Sequence, residues 1–335
     1  MAVLFRCDAG KEDGLGHVMR CLTLADAVRS GGETVNFCSL VGPTMVGAER
    51  IETRGFSCIS AAGPVGSQAD TEALEALQRD VLVVDSRRST SDHINALAKQ
   101  GFTVVIDDDG MTDLNADVVI NAALDMAVGR YPGRESRRFD LFGPRYNLID
   151  PAMFADRPFA AQARRLLVTF GGEDPFNHTR WTLESFGPIM AGLDVTVVIG
   201  PAHPDPSSAR NAAAQIGATV VEAPPSLMPH IVDADLAITA GGTTCYELAA
   251  AGVPMLAIGI EPHQGPLIDA LVRRDACWPL GIGFDVDMAQ ANSAFLRFIE
   301  DNSARNRMRA AQKSSFPGPG APLIVDALKT ARAGR

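Results

Sequence analysis

Two short segments of this 335-residue chain carry residue types that do chemistry together. The first, residues 240–248, reads Ala-Gly-Gly-Thr-Thr-Cys-Tyr-Glu-Leu and follows an apolar run at 236–238. Its pattern is strand, glycine turn, helix. Gly241 and Gly242 let the backbone approach a ligand closely. The N–H groups of Thr243 and Thr244 open a helix whose positive end favours an anion. Glu247, in the first turn, offers a carboxylate to a ribose hydroxyl. Such a segment is either a seat for a nucleoside diphosphate or a capped helix with no ligand. The second segment is Gly14-Leu15-Gly16-His17, which follows the first apolar run and opens a helix expected over residues 17–30. The positive helix end favours a neutral imidazole there, which is the form a general base requires. The competing reading is a histidine that caps its own helix. This is not the G-x-G-x-x-G dinucleotide fingerprint, because position 19 is Met19. No nicotinamide, flavin or other cofactor is expected.

Further polar residues cluster around these two segments. Arg6, Asp8 and Arg20 flank the His17 loop and either contact substrate or pair with one another. Asp85 ends an apolar run and is a further acid on the same side. Asp107, Asp108 and Asp109 suggest magnesium at first sight. Adjacent residues cannot all face one ion, however, and no nearby acid completes a cage. They are expected to cap a turn and leave one acid for substrate, and no metal is expected. Residues 170–177 form a second glycine turn with Gly171 and Gly172, and Asp174 or Asn177 caps the helix after it. Gln264 is placed to bond sugar hydroxyls, His263 to contact phosphate or sugar, and Met228 lies where the edge of a nucleobase could pack.

The elements that position these residues are visible in the hydropathy pattern. Apolar runs at 2–5, 34–37, 81–84, 103–106 and 118–120 alternate with helical patterns such as 17–30 and 91–100. A second set follows at 166–170, 195–199, 219–222, 236–239 and 255–258. This is the βαβ rhythm of parallel sheets covered on both faces. The expected fold is α/β, with two Rossmann-like domains facing each other across a cleft and ligands at the carboxyl ends of the strands. The domains are expected at residues 1–150 and 164–335 with a linker at 151–163, and a last short helix at 323–331. A length of 335 residues also exceeds what one core usually fills.

Composition narrows the function classes. An apolar content of 46% and a charged content of 21% suit a globular protein. The formal net charge of −10 argues against a nucleic-acid partner. Backbone dipoles bind phosphate without net positive charge, so a phosphorylated small molecule remains compatible. No apolar run is long enough to span a bilayer, and the first residues are too short and too soon charged for a signal peptide. The basic stretch 130–138 carries little apolar surface and is expected to be a solvated face. Six cysteines without C-x-x-C pairing suit a reducing, cytoplasmic setting.

Taken in order, these landmarks resemble the GT-B nucleotide-sugar superfamily. Within it the chain is most similar to the hydrolase family of pseudaminic acid biosynthesis. The resemblance rests on Arg6-x-Asp8, Gly14-Leu15-Gly16-His17-x-x-Arg20, Val84-Asp85, Ile106-Asp107-Asp108 and Gly143-Pro144-x-Tyr146. It continues through Phe170-Gly171-Gly172-x-Asp174-Pro175-x-Asn177, residues 234–247 and Gln264. It implies a UDP-linked amino or deoxy sugar as substrate. UDP would lie on the second domain, with Met228 beside uracil, Glu247 on ribose and the 241–244 turn on the diphosphate. His17 would activate water for inverting attack on the anomeric carbon, with no metal. A GT-B glycosyltransferase with a non-water acceptor, and a non-catalytic nucleotide-sugar binder, are the competing readings. The chain departs from the family pattern at Ser86-Arg87-Arg88-Ser89-Thr90 and at Glu261-Pro262-His263-Gln264, which leaves the sugar open.

Overall fold

Strands that are buried on both faces dictate the architecture. In a computed structural model describing residues 1–9, 15–42, 47–125, 131–134 and 139–334, the side chain of His263 excepted, the chain divides into two compact units. One comprises residues 1–149 and 319–335, the other residues 150–318.

The first unit contains β1 (Ala2–Cys7), α1 (Gly16–Ser30), β2 (Thr34–Ser39), α2 (Gly47–Thr53), β3 (Ser57–Ser60), α3 (Gln68–Glu75) and β4 (Val81–Asp85). It continues with α4 (Ser91–Gln100), β5 (Thr103–Ile106), β6 (Val118–Asn121) and β7 (Leu141–Phe142). The second contains β8 (Arg165–Thr169), α5 (His178–Met190), β9 (Asp194–Ile199), α6 (Pro206–Gln215), β10 (Thr219–Glu222), α7 (Met228–Asp233) and β11 (Leu236–Ala240). After these come α8 (Thr244–Ala251), β12 (Met255–Gly259), α9 (Gly265–Val272), β13 (Trp278–Ile282), α10 (Met288–Glu300) and α11 (Asn302–Ser315).

The sheet orders are β3-β2-β1-β4-β5-β6-β7 and β10-β9-β8-β11-β12-β13, with every ladder parallel. In the first unit Val3, Phe5 and Cys7 enter one core with Val81 and Val83, while Leu4, Leu82 and Val84 enter another on the opposite face. That alternation covers both faces, as parallel sheets require. In the second, Leu166 and Val168 pack with Val195, Val197, Leu236 and Ile238.

Three expectations are corrected. The last helix, α12 (Ala321–Ala333), packs on the first unit, where Ile324, Val325 and Leu328 join the core with Leu24 and Val28. The second unit therefore ends at Gly318, not at the C-terminus. Residues expected to form a linker are fastened to the second unit instead. Arg157 donates to the carbonyls of Ile231, Val232 and Ala234 at the end of α7, and Arg305 donates to Ala161 at 2.7 Å. Finally, Arg134 is no part of a solvated face. It is buried, doubly bonded to Asp140 at 2.6 and 2.8 Å, and donates to the carbonyls of Leu114 and Ala116. Arg130, Arg137 and Arg138 lie outside the described residues.

Candidate functional site

Each sheet reverses its winding once, and each reversal gathers expected site residues. In the first unit β1 runs on to β2 and β3 on one side, while β4, β5 and β6 extend on the other. The crevice at the carboxyl ends of β1 and β4 is the switch point where open α/β sheets bind ligands. His17 is the second residue of α1, which follows β1, and Asp85 ends β4. Their side chains meet there, with His17 Nδ1 2.7 Å from Asp85 Oδ1. Arg20, one turn along α1, donates to both Asp85 oxygens at 2.6 Å and to both Asp108 oxygens at 2.8 and 2.9 Å. The Cys21 thiol donates to Asp85 Oδ2 at 3.5 Å.

The geometry decides the tautomer. Arg20 Nη2 also lies 3.3 Å from His17 Nδ1, but Nδ1 cannot both donate and accept. The shorter contact is to an anionic oxygen, so the proton belongs on Nδ1 and donates to Asp85. In the neutral ring Nε2 then carries the lone pair. Burial alone would raise the Asp85 carboxyl, but the charges and hydrogen bonds of Arg20, with His17, hold it well below the usual carboxylate range. The His17 side chain is 12% exposed, whereas Asp85 is fully buried. An imidazole fixed through Nδ1 by an ionised carboxylate, in a side chain that is not sealed from solvent, is the arrangement of a general base with its orienting acid.

Several residues expected to touch substrate have other work. Asp85 is sealed from solvent and acts on His17 instead. Arg20 is held between Asp85 and Asp108. Asp8 is buried with Arg6, accepting at 2.6 and 3.1 Å, and also accepts from Leu40 N. Arg6 in turn donates to Asp70 at 2.7 Å, so the ion-pair alternative holds for Arg6 and Asp8. Asp107 caps its own turn, accepting from Asp109 N and Gly110 N, and Tyr131 donates its hydroxyl to Asp107 at 2.7 Å. That anchoring presents Asp108 to Arg20. Gly16 opens α1, while Gly14 lies outside the described residues.

The second unit reverses between β8 and β11. Gly171 and Gly172 follow β8, and Gly171 has φ +81°, a conformation that favours glycine. The turn is tied to the next loop, because Ala202 donates to the Gly172 carbonyl at 2.9 Å. A side chain on Gly200 would strike the carbonyls of Gly171 and Gly172 at 2.3 Å, which makes Gly200 a contributor the sequence reading missed. Asp174 is buried and accepts from His178 N and Thr179 N at 2.7 and 2.8 Å. Asn177, at φ +57°, accepts from Arg180 N. Both are therefore caps of α5 rather than free ligand groups.

The 240–247 segment forms the strand end, glycine turn and helix start expected of it. It leaves β11 and enters α8 with no side-chain cap. Gly241 is packed tightly, with space for a Cβ only 2.6 Å from Ile268 and 3.1 Å from Gln264, whereas Gly242 faces open space. Gln264 thus stands against the turn, and its Oε1 accepts from Ile260 N at 3.0 Å. His263 has its backbone in a short helical turn, Pro262–Gln264, and its side chain lies outside the description. Glu247 is half-buried. Burial lifts its carboxyl to about 7, and the charge of Asp150 adds to the rise. Met228 begins α7 and is half-buried. Cys245 is inert: it is buried, donates to the Ala240 carbonyl, and burial pushes its thiol up to about 12. Among the described residues no group of three or more His, Cys, Asp or Glu side chains could hold a metal ion, and no helix is long and apolar enough to cross a membrane.

Two α/β units with parallel sheets of this order make the GT-B fold, and solved structures of that fold match the whole chain. The glycosyltransferase VinC in complex with dTDP aligns over 100% of both chains with a TM-score of 0.66 at 14% identity. MurG from Acinetobacter baumannii aligns over 98% of this chain and 99% of its own, with a TM-score of 0.63 at 14% identity. In sequence, the chain is similar to the spore coat polysaccharide biosynthesis protein SpsG of Bacillus subtilis, 23% identical over 287 residues, covering 82% of each. It is also similar to an uncharacterized protein, MJ1062, of Methanocaldococcus jannaschii, 22% identical over 289 residues. That match covers 82% of this chain but 59% of MJ1062. No family model matches the chain.

Proposed function

We propose that the chain is a nucleotide-sugar hydrolase that splits a UDP-linked amino or deoxy sugar into UDP and free sugar. The observation that carries this reading is the 2.7 Å contact of His17 Nδ1 with the buried carboxylate of Asp85, which frees Nε2 to take a proton. A water molecule gives that proton to Nε2 as its oxygen bonds the anomeric carbon. The bond from that carbon to the diphosphate oxygen breaks, and the configuration inverts. Positioned base catalysis of this kind contributes about 10²–10⁴-fold.

In this reading the second unit holds the nucleotide. Met228 borders uracil, Glu247 accepts from the ribose, and the open N–H groups after Gly241 and Gly242 take the diphosphate. Gln264 and His263 serve the sugar side. Developing charge on the leaving diphosphate is met by backbone donors, so no metal is needed. The similarity to SpsG, a spore coat polysaccharide biosynthesis protein, supports a place in surface-glycan synthesis, of pseudaminic type by the sequence resemblance.

The test is release of UDP from a panel of UDP-sugars, with EDTA present and no acceptor. UDP and free sugar in equal amounts are expected from at least one donor. Tight UDP binding with release only after a hydroxyl acceptor is added would replace hydrolysis with glycosyl transfer.

A further inference from the structure

The segment between Asp85 and α4 has no part in the chemistry above, yet it is a built feature. Ser86 and Ser89 are buried, Ser89 N donates to the Ser86 carbonyl, and Arg88 N donates to Ser86 Oγ at 3.1 Å. These bonds close a four-residue turn with Arg87 and Arg88 at its tip. The neighbouring loop fits closely under it: a side chain on Gly66, at φ +87°, would lie 3.1 Å from the Arg88 carbonyl. Arg87 is exposed, and among the described residues its guanidinium has no hydrogen-bond or ion-pair partner. It stands two residues beyond Asp85, about 7 Å along the backbone. That is within one arginine side chain of the group that orients His17.

The charge around it gives Arg87 a purpose. At the carboxyl edge of this sheet the two guanidinium groups of Arg6 and Arg20 face the four carboxylates of Asp8, Asp70, Asp85 and Asp108. Among these six groups the carboxylates outnumber the guanidiniums, and such fields govern which ligands are admitted. An unpaired guanidinium on a fixed turn beside that edge offsets the field, and its fork suits carboxylate or phosphate oxygens.

We infer that Arg87 recognises an anionic group of the substrate, either a carboxylate on the sugar or the diphosphate itself. The inference rests on the nucleotide-sugar reading, so its test is binding rather than turnover. Titration calorimetry would compare UDP-glucuronate, UDP-glucose and UDP on the full chain and on R87Q and R87E; both changes are at an exposed position and leave the fold intact. A loss of about tenfold or more in R87Q confined to UDP-glucuronate, deeper in R87E, identifies a sugar carboxylate. An equal loss for all three ligands identifies the diphosphate. Affinities unchanged in both variants overturn the inference. Failure of the wild-type chain to bind any of the three would count against the nucleotide-sugar reading itself, and titration with glucuronate alone would then decide whether Arg87 binds an anion.

Discussion

The switch point of the first unit holds four titratable side chains bonded to one another, whereas the turn after β11 in the second holds glycines, two threonines and one half-buried acid. His17, Arg20, Asp85 and Asp108 are bonded at 2.6–2.9 Å and fix one another. Around Gly242 there is space, and Glu247 has no hydrogen-bond partner among the described residues. One sheet order thus positions two kinds of machinery. The first is already assembled, with the His17 imidazole held by Asp85 and Asp85 by the Arg20 guanidinium. In the proposed reading the second takes the nucleotide through open N–H groups and the Glu247 carboxylate. A protein that moves a proton and binds a diphosphate needs both: preorganised charge for the chemistry and open donors for the anion.

The comparison breaks most visibly at the base. His17→Ala is expected to lower turnover by about 10²–10⁴-fold. Asp85→Asn should approach the same loss with the imidazole still present, because an amide can donate to Nδ1 and turn the proton to Nε2. Rates measured against pH for both variants check this. Equal activity of Asp85→Asn and wild type would remove the orienting role.

The glycines sharpen the second half. Gly241→Ala forces Ile268 and Gln264 apart and should cost about 1–3 kcal/mol in a denaturant titration. Gly242→Ala has room, so its stability should match wild type while UDP affinity falls. Equal stability of the two variants would contradict the packing.

Glu247 supplies a pH test of about tenfold. Its carboxyl sits at about 7 in the folded chain, and the ionised form is the stronger acceptor for a ribose hydroxyl. UDP affinity of wild type relative to Glu247→Gln should therefore rise between pH 6 and pH 8. A ratio that does not move would separate Glu247 from the nucleotide.

The smallest effect belongs to His93, buried at the start of α4. Burial and the charge of Arg6 hold its imidazole below the usual histidine range, so the folded state favours the neutral ring. The unfolded state binds the proton more readily, so stability is complete above about pH 6.5 and falls as the pH drops through that value. Scanning calorimetry at pH 7.5 and 5.5 should show a Tm drop that His93→Gln lessens, and an equal drop in both proteins would remove His93 as its source.

Much of this fold is legible in the sequence because strands buried on both faces are continuous apolar runs. The run at 103–106, buried at all four positions, coincides with β5. The edge strands β3 and β13 escape that signal. β3 is Ser-Cys-Ile-Ser, and β13 contains Pro279 and Gly281, which edge positions tolerate. The return of α12 to the first unit is equally hidden, since an amphipathic helix does not say which sheet it will cover. At the site, His17 is legible because two glycines and a helix start announce it. Its partner is not: Asp85 lies 68 residues away, and only the β1–β4 ladder brings the two together. For the same reason Asp8 and Arg20 read equally well as ligand groups or as ion pairs until their partners were in view.

The most direct test of the division between the units is one pair of measurements on His17→Ala: UDP binding by calorimetry, and UDP release from the best donor. The account predicts wild-type affinity for UDP with release reduced by at least about a hundredfold. Release at the wild-type rate, or loss of UDP binding together with activity, would contradict it.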